Sequence, residues 1–194
     1  MPSAEFTLPG EVAVVTGAGA GIGRRIARSL ADAGVDVAIN DVDADALAAA
    51  EDALADCPGG LATVEGDAPG RIVNVSSMSG KRPLEDRTPY TTAKMGVIGF
   101  TRTLAVELAD ADVTVNAVCP GSVAGDRLDA VIEAQAESRG EPVAAVRREF
   151  REISPMNEFV GPEDVADTVL FLCSDRAARM TGQDLNVTAG IVNH

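Results

Sequence analysis

The sequence predicts an α/β domain built on a doubly wound parallel sheet. Three observations carry that expectation. Short apolar runs rich in Val and Ile alternate with amphipathic stretches along the chain. A glycine-rich turn joins the first of these runs to the first helical stretch. Aromatic residues make up only 3% of the 194, so Ala, Val, Leu and Ile must fill the core, as in parallel strands sandwiched between helices. The length fits one domain, residues 1–194, and no repeat or low-complexity linker divides it.

Val12-Ala13-Val14-Val15 is a short, wholly apolar run, the pattern of a buried strand. The turn Thr16 to Gly23 follows, then a helix from Arg24 to Ala33 with Ile26, Ala27 and Leu30 on one face. Gly34 stops it, as a C-terminal glycine does. Val35 to Ile39 is the next strand and ends in Asn40-Asp41. Asp45 to Ala55 is an alanine-rich helix closed by Pro58-Gly59-Gly60, and Leu61 to Glu65 and Ile72 to Val75 read as the third and fourth strands. A long helix is expected from Pro89 to Ala109, with Val97, Ile98, Leu104 and Leu108 available for packing. Val113 to Val118 is a fifth strand, broken by Pro120-Gly121. Two polar helices are expected at Asp126–Arg139 and Pro142–Ile153. A further helix opens at Gly161-Pro162-Glu163-Asp164, with Pro in its first turn, and runs to Cys173. Leu185-Asn186-Val187 is a last short strand.

Charge and cysteine content narrow the function classes. Sixteen basic residues stand against 30 acidic ones, a net of −14, and only Lys81 and Lys94 are lysines. Such a surface repels nucleic acid and anionic membrane. It points to a halophilic setting, a salt-rich cytoplasm where self-repulsion is screened within about 3 Å at 1 M salt; an ordinary acidic protein is the alternative. Cys57, Cys119 and Cys173 are far apart with no CxxC pair, and the sole His is His194, so neither a metal site nor a disulfide framework is expected. No basic-then-apolar leader and no bilayer-length run is present, which leads to the expectation of a soluble, cytoplasmic protein with free thiols.

Gly17, Gly21 and Gly23 have a geometric reading. A helix N-terminus offers unpaired N–H groups and a partial positive charge. A pyrophosphate reaches them only where side chains are absent. Ile22 is expected to pack the turn onto the sheet. The glycines follow a strand, open a helix, and are followed eighteen residues after Gly23 by Asp41 at the end of the next strand. Asp41 is placed to accept the ribose hydroxyls of a dinucleotide, and its carboxylate repels a 2′-phosphate. No basic residue stands at Ala20 or Val42, so NAD is favoured over NADP. A solvated turn residue is the alternative for Asp41. Arg24 and Arg25 either assist phosphate binding or form an exposed first turn.

Thr16-Gly17-x-x-x-Gly21-x-Gly23, Asn74-Val75-Ser76-Ser77, Tyr90-x-x-x-Lys94 and Asn116-x-x-x-Pro120-Gly121, in that order, resemble the short-chain dehydrogenase/reductase family, with Tyr90 thirteen positions after Ser77. The resemblance runs down to Thr181-Gly182-Gln183. It implies a Rossmann-like fold and hydride transfer between NAD and a secondary alcohol or its carbonyl, 3-oxoacyl reductase-like or polyol- or hydroxy-acid dehydrogenase-like. It implies Tyr90 as the proton donor or acceptor. A free phenol holds its proton to about pH 10, and a cation one helical turn away, Lys94, favours the phenolate. Lys94 is also implied to bond the nicotinamide ribose. Ser77 is implied to hold the substrate oxygen, with Ser76 as the alternative serine. Pro120 and Gly121 match the wall beside the nicotinamide, and Asp67 matches the position that meets the adenine amino group. The stretch from Val123 to about residue 160 resembles the family's substrate lid. Its Arg127, Arg147, Arg148 and Arg151 either meet an acidic substrate or pair with Glu133, Glu137, Glu149 and Glu152. A small-molecule partner and a homo-oligomer are expected.

The family pattern also carries, between Asp67 and the Asn74 strand, a strand with an Asn-Ala-Gly turn and a helix pair bearing a fourth catalytic Asn. Here Asp67-Ala68-Pro69-Gly70 runs straight into Arg71. About 60 residues, two βα units, are therefore missing, including a central strand beside the first. Six Cα steps from Glu65 to Arg71 reach about 20–22 Å, less than the roughly 22–25 Å that a parallel crossing needs. A hairpin at Asp67–Gly70 is the easier local solution; it turns the Ser77 strand antiparallel and carries Ser77 away from the nucleotide. Three outcomes stay open: a segment omitted from this sequence, a sheet kept by strain or exchange between protomers, or a remnant that binds a dinucleotide without turnover. A purely structural subunit that uses the Pro89–Ala109 helix as an interface is a further alternative.

Overall fold

The computed structural model describes residue 8, residues 12–58 and residues 70–194. The third strand expected at Leu61–Glu65, Asp67, and most of the hairpin turn lie outside the described residues.

The chain runs β1 (Val12–Thr16), α1 (Gly21–Asp32), β2 (Asp36–Asn40), α2 (Ala44–Leu54), β3 (Arg71–Val75), α3 (Thr88–Glu107), β4 (Thr114–Pro120), α4 (Asp126–Arg139), α5 (Val143–Glu152), α6 (Pro162–Cys173) and β5 (Asp184–Val187). Every strand pair is parallel, as the alternation of strands and helices demands. The strands fall into two groups, β1-β2 and β3-β4-β5, and among the described residues no pairing joins β1 to β3.

Helices hold the two groups together. The buried face of α1, Ile26, Ala27, Leu30 and Ala31, follows the helical repeat, as does that of α6, Val165, Ala166, Val169 and Leu172. The two helices pack on one another, and α6 also packs on β3 and β4. One apolar core therefore runs from Val15 and Val37 through Leu30 and Leu172 to Val118.

The partner strand and most of the turn of the expected antiparallel hairpin lie outside the described residues. β3 is registered parallel to β4 from Arg71↔Thr114 to Val75↔Val118. It is further tied to α3 through Asn74, whose side-chain amide donates to Thr101 Oγ1 at 3.0 Å. These long-range contacts fix β3 in its sheet. One expectation changes. β1 is expected to be a fully buried strand, but only Val15 is buried and Val14 is 66% exposed. Its edge away from β2 lines an open cavity rather than a neighbouring strand.

α4 and α5 form a small unit of their own around Ile132, Ala136 and Val146, with Leu128, Phe150 and Phe159 packed against them. Its base is a two-strand bridge, where Ala124 N–H donates to the Val160 carbonyl at 2.9 Å and Val160 N–H donates to the Ser122 carbonyl at 3.0 Å.

Candidate active site

The cavity between the two strand groups has a volume of about 1620 Å³. The whole of β1 and β3 line it, along with the glycine turn, the segment after β3, the start of α3, the end of β4 and the start of α4. Its size exceeds that of an ordinary ligand pocket, about 300–1,000 Å³. It gathers Gly17, Gly21, Ile22, Gly23, Ser77, Tyr90, Lys94, Pro120 and Gly121 on one surface. Ser77 is therefore not carried away from the glycine turn.

The turn is shaped by contacts that only glycine allows. Gly17 has φ +69°, and a Cβ on Gly23 would lie 1.9 Å from the Gly17 carbonyl oxygen. α1 begins at Gly21 behind Ala20, which has no side chain able to cap the helix, and no acidic residue stands in the first turn. The first N–H groups of a helix have no intrahelical partner. Gly21, Ile22 and Gly23 bring theirs to the cavity wall, which fits a pyrophosphate as the missing cap.

Asp41 does not line the cavity; it latches the turn. Its carboxylate accepts from Gly19 N–H at 2.8 Å and from Asp43 N–H at 3.1 Å. These two bonds, Asp43's first, hold the carboxyl below the usual carboxylate range. Arg24 closes the same turn from the other side, through its guanidinium to the Gly19 carbonyl, so it serves the loop rather than an exposed helix face.

The end of β3 places the two serines differently. Ser76 Oγ donates to the Lys94 carbonyl at 2.8 Å and is held against α3. Ser77 Oγ accepts from Ser79 N–H at 3.1 Å and caps the short 3-10 turn Met78–Gly80. Because Ser77 Oγ is used as an acceptor, its hydroxyl hydrogen is free to donate. Gly80 lets this turn touch α3, since a Cβ there would lie 2.9 Å from the Lys94 carbonyl oxygen. Tyr90 and Lys94 stand one turn apart on α3, with Lys94 Nζ 5.7 Å from the Tyr90 ring centre. Nζ also donates to the Val75 carbonyl at 3.0 Å, which ties α3 to the end of β3 and leaves further donors on the ammonium.

Several motif residues act as fasteners. Asn116 is fully buried; its amide nitrogen donates to the Met180 carbonyl at 2.7 Å and its oxygen accepts from Gln183 N–H at 3.1 Å. Thr181 Oγ1 accepts from Val115 N–H at 3.0 Å. Gly121 N–H donates to the Val187 carbonyl at 2.9 Å. Sequence reasoning does not find the ion pair of Lys81 and Asp184, 2.6 Å long and only 10% and 11% exposed, which Arg102 joins at 2.6 Å. It pins the segment after Ser77 to β5, and no local pattern signals a partner so far along the chain. In the 123–160 stretch, Arg147 pairs with Asp129 and Arg148 with Glu152, whereas Arg127 lines the cavity without an ion pair among the described residues. Among the described residues no cluster of His, Cys, Asp and Glu could hold a metal ion, and no helix is long and apolar enough to cross a membrane.

Comparison with known proteins gives the family. The family profile described as enoyl-(acyl carrier protein) reductase matches residues 61–192, and that of short chain dehydrogenase matches residues 11–69. The chain belongs to the short-chain dehydrogenase/reductase family. A putative ketoacyl reductase of the monensin polyketide synthase from Streptomyces virginiae is 40% identical over 135 residues, 70% of this chain and 51% of that protein. D-beta-hydroxybutyrate dehydrogenase of Cupriavidus necator is 37% identical over 124 residues, 63% of this chain and 48% of that protein. The chain thus spans about half the length of the curated relatives it matches. Among solved structures, a single-substitution variant of actinorhodin polyketide ketoreductase with NADPH superposes with a TM-score of 0.86 at 26% identity, covering 97% of this chain and 100% of that one.

Proposed function

We propose that the chain is an oxidoreductase that interconverts a secondary alcohol and a carbonyl with a nicotinamide dinucleotide. The observation that carries this reading is the cavity common to the uncapped α1 N-terminus and to Ser77, Tyr90 and Lys94. Gly21, Ile22 and Gly23 would hold the pyrophosphate, with Pro120 and Gly121 beside the nicotinamide. Asp67, by its family position, would meet the adenine. The dinucleotide supplies or takes the hydride. The Tyr90 hydroxyl moves the proton at the substrate oxygen, and the free hydrogen of Ser77 holds that oxygen. Lys94 sets a positive charge beside the phenol and has donors left for a ribose hydroxyl. Asp41 is ionised at neutral pH and sits at the end of β2, which favours NAD over NADP, although the superposed ketoreductase holds NADPH.

The relatives' names suggest ketoacyl and hydroxy-acid compounds as substrates. The reading extends to a single domain, residues 1–194, with residues 123–160 as a substrate lid. It also extends to a homo-oligomer paired through α3, where Met95, Phe100 and Val106 stand exposed, and to a salt-rich cytoplasm, given the net charge of −14. A dinucleotide-binding remnant without turnover is the second reading. The open gap between β1 and β3, beside the glycine turn, favours it.

The test is NADH formation or consumption against a panel of secondary alcohols and ketones, wild type against Tyr90→Phe. The enzyme reading expects turnover that falls about 10²–10⁴-fold in the variant. Cofactor binding without turnover in either protein favours the remnant instead.

A further inference from the structure

We propose that the substrate carries a small anionic group, carboxylate or phosphate, held by the cavity-lining arginines Arg87 and Arg127. The proposal rests on the reading of Tyr90 as the reacting site.

The described lining of the cavity is net positive in a net negative chain. The sequence has 30 acidic residues against 16 basic ones, yet among the described residues Arg71, Arg87, Lys94 and Arg127 line the cavity against Asp126 alone. Two of these cations are already bonded within the fold. Arg71 Nη1 donates to the Gly70 carbonyl at 2.9 Å and Lys94 Nζ to the Val75 carbonyl at 3.0 Å. Among the described residues, the Arg87 and Arg127 side chains form neither an ion pair nor a hydrogen bond, although carboxylates are abundant. Of the other arginines in the 123–160 stretch, Arg139 pairs with Glu149 at 2.7 Å and Arg147 with Asp129 at 2.6 Å, whereas Arg151, outside the cavity, has no ion pair among the described residues.

Their positions add to this. Arg87 is the N-cap of α3, one turn before Tyr90. Arg127 is the second residue of α4. A cation at a helix N-terminus is disfavoured by the helix dipole, so each guanidinium stands where the fold alone does not want it. An anion bound at either removes that cost and receives the planar two-donor geometry that guanidinium offers to carboxylate and phosphate. Leu84, Leu128 and Phe150 line the same cavity, and apolar walls of this kind focus the field of cations.

The experiment compares kcat/KM with NADH for acetoacetate, its neutral methyl ester and dihydroxyacetone phosphate. The proposal expects one of the two anions to exceed the ester, and which one separates carboxylate from phosphate. Arg87→Gln and Arg127→Gln are each expected to lower that preference tenfold or more, mainly through KM. Arg151→Gln, an arginine outside the cavity, is expected to leave it unchanged. A wild type that treats acid and ester alike, or a preference that neither substitution moves, overturns the proposal. If no compound turns over, the reading of Tyr90 fails separately, and saturation-transfer NMR of the two anions on the NAD-loaded protein decides. Binding lost in the Arg87→Gln and Arg127→Gln variants supports the anion site, and no binding to the wild type overturns it.

Discussion

β4 and β1 are both short strands that carry Val and Ala, yet they sit in opposite surroundings. β4 is buried at all seven positions, Thr114 to Pro120, whereas β1 is buried at one of five. β4 has β3 and β5 on its two edges and α3 and α6 packed on it. β1 has β2 on one edge and the open cavity on the other. β3 lies between these cases, paired on one edge and half-buried along its length. An apolar strand is thus a candidate for burial, and the number of neighbours decides whether burial follows. The difference is also functional, since the open edges of β1 and β3 bring the glycine turn and Ser77 to one cavity.

The largest expected effect comes from removing what joins the two strand groups. Leu172 on α6 is fully buried in the core that reaches both. Leu172→Ala is expected to cost about 2–5 kcal/mol in urea unfolding, with both groups lost in one transition; a loss confined to β3-β4-β5 would break the shared-core account. The same substitution in two strands sharpens the comparison. Val118 is fully buried and Val14 is 66% exposed. Val118→Thr buries a hydroxyl without a partner and is expected to cost about 1–3 kcal/mol, while Val14→Thr stays within about 0.5 kcal/mol. Equal effects would mean that β1 is covered in solution.

A smaller effect reads the cavity wall. Burial pushes the Cys173 thiol up to about 11, against the opposing charge of Arg71. The folded state therefore holds this proton more tightly than the unfolded chain. Its contribution is complete below the ordinary thiol value and is lost as the pH rises from about 9 towards 11. Urea unfolding at pH 8 and pH 10.5 is expected to show wild type losing about 1–2 kcal/mol more than Cys173→Ala across that interval. Identical pH dependence would place Cys173 in water.

Much of this architecture is legible in local sequence. The helix Asp126–Arg139 has the bounds expected of it, because polar flanks and Gly140 mark its end. β4 runs two residues beyond the expected stop at Val118, because Pro120 still pairs with Val187 and Gly121 supplies the next donor. The glycine turn, Ser77, Tyr90 and Lys94 follow from spacing, and all line one cavity. The latch of Asp41 on Gly19, the Ser76 bond to the Lys94 carbonyl and the Lys81–Asp184 pair are not legible. Each joins residues far apart in the chain, and only tertiary packing decides that they meet. The pairing of β3 with β4 escapes local reading for the same reason, since the two strands are more than forty residues apart and only tertiary packing brings them together.

The most direct test of the central claim is thermal unfolding in molar salt with and without saturating NAD. A ligand that binds only the native state at about 100 times its Kd adds roughly 2.7 kcal/mol. The account predicts one cooperative transition that moves upward with NAD. A transition indifferent to NAD would contradict the claim that the glycine turn and the cavity between β1 and β3 form a dinucleotide site.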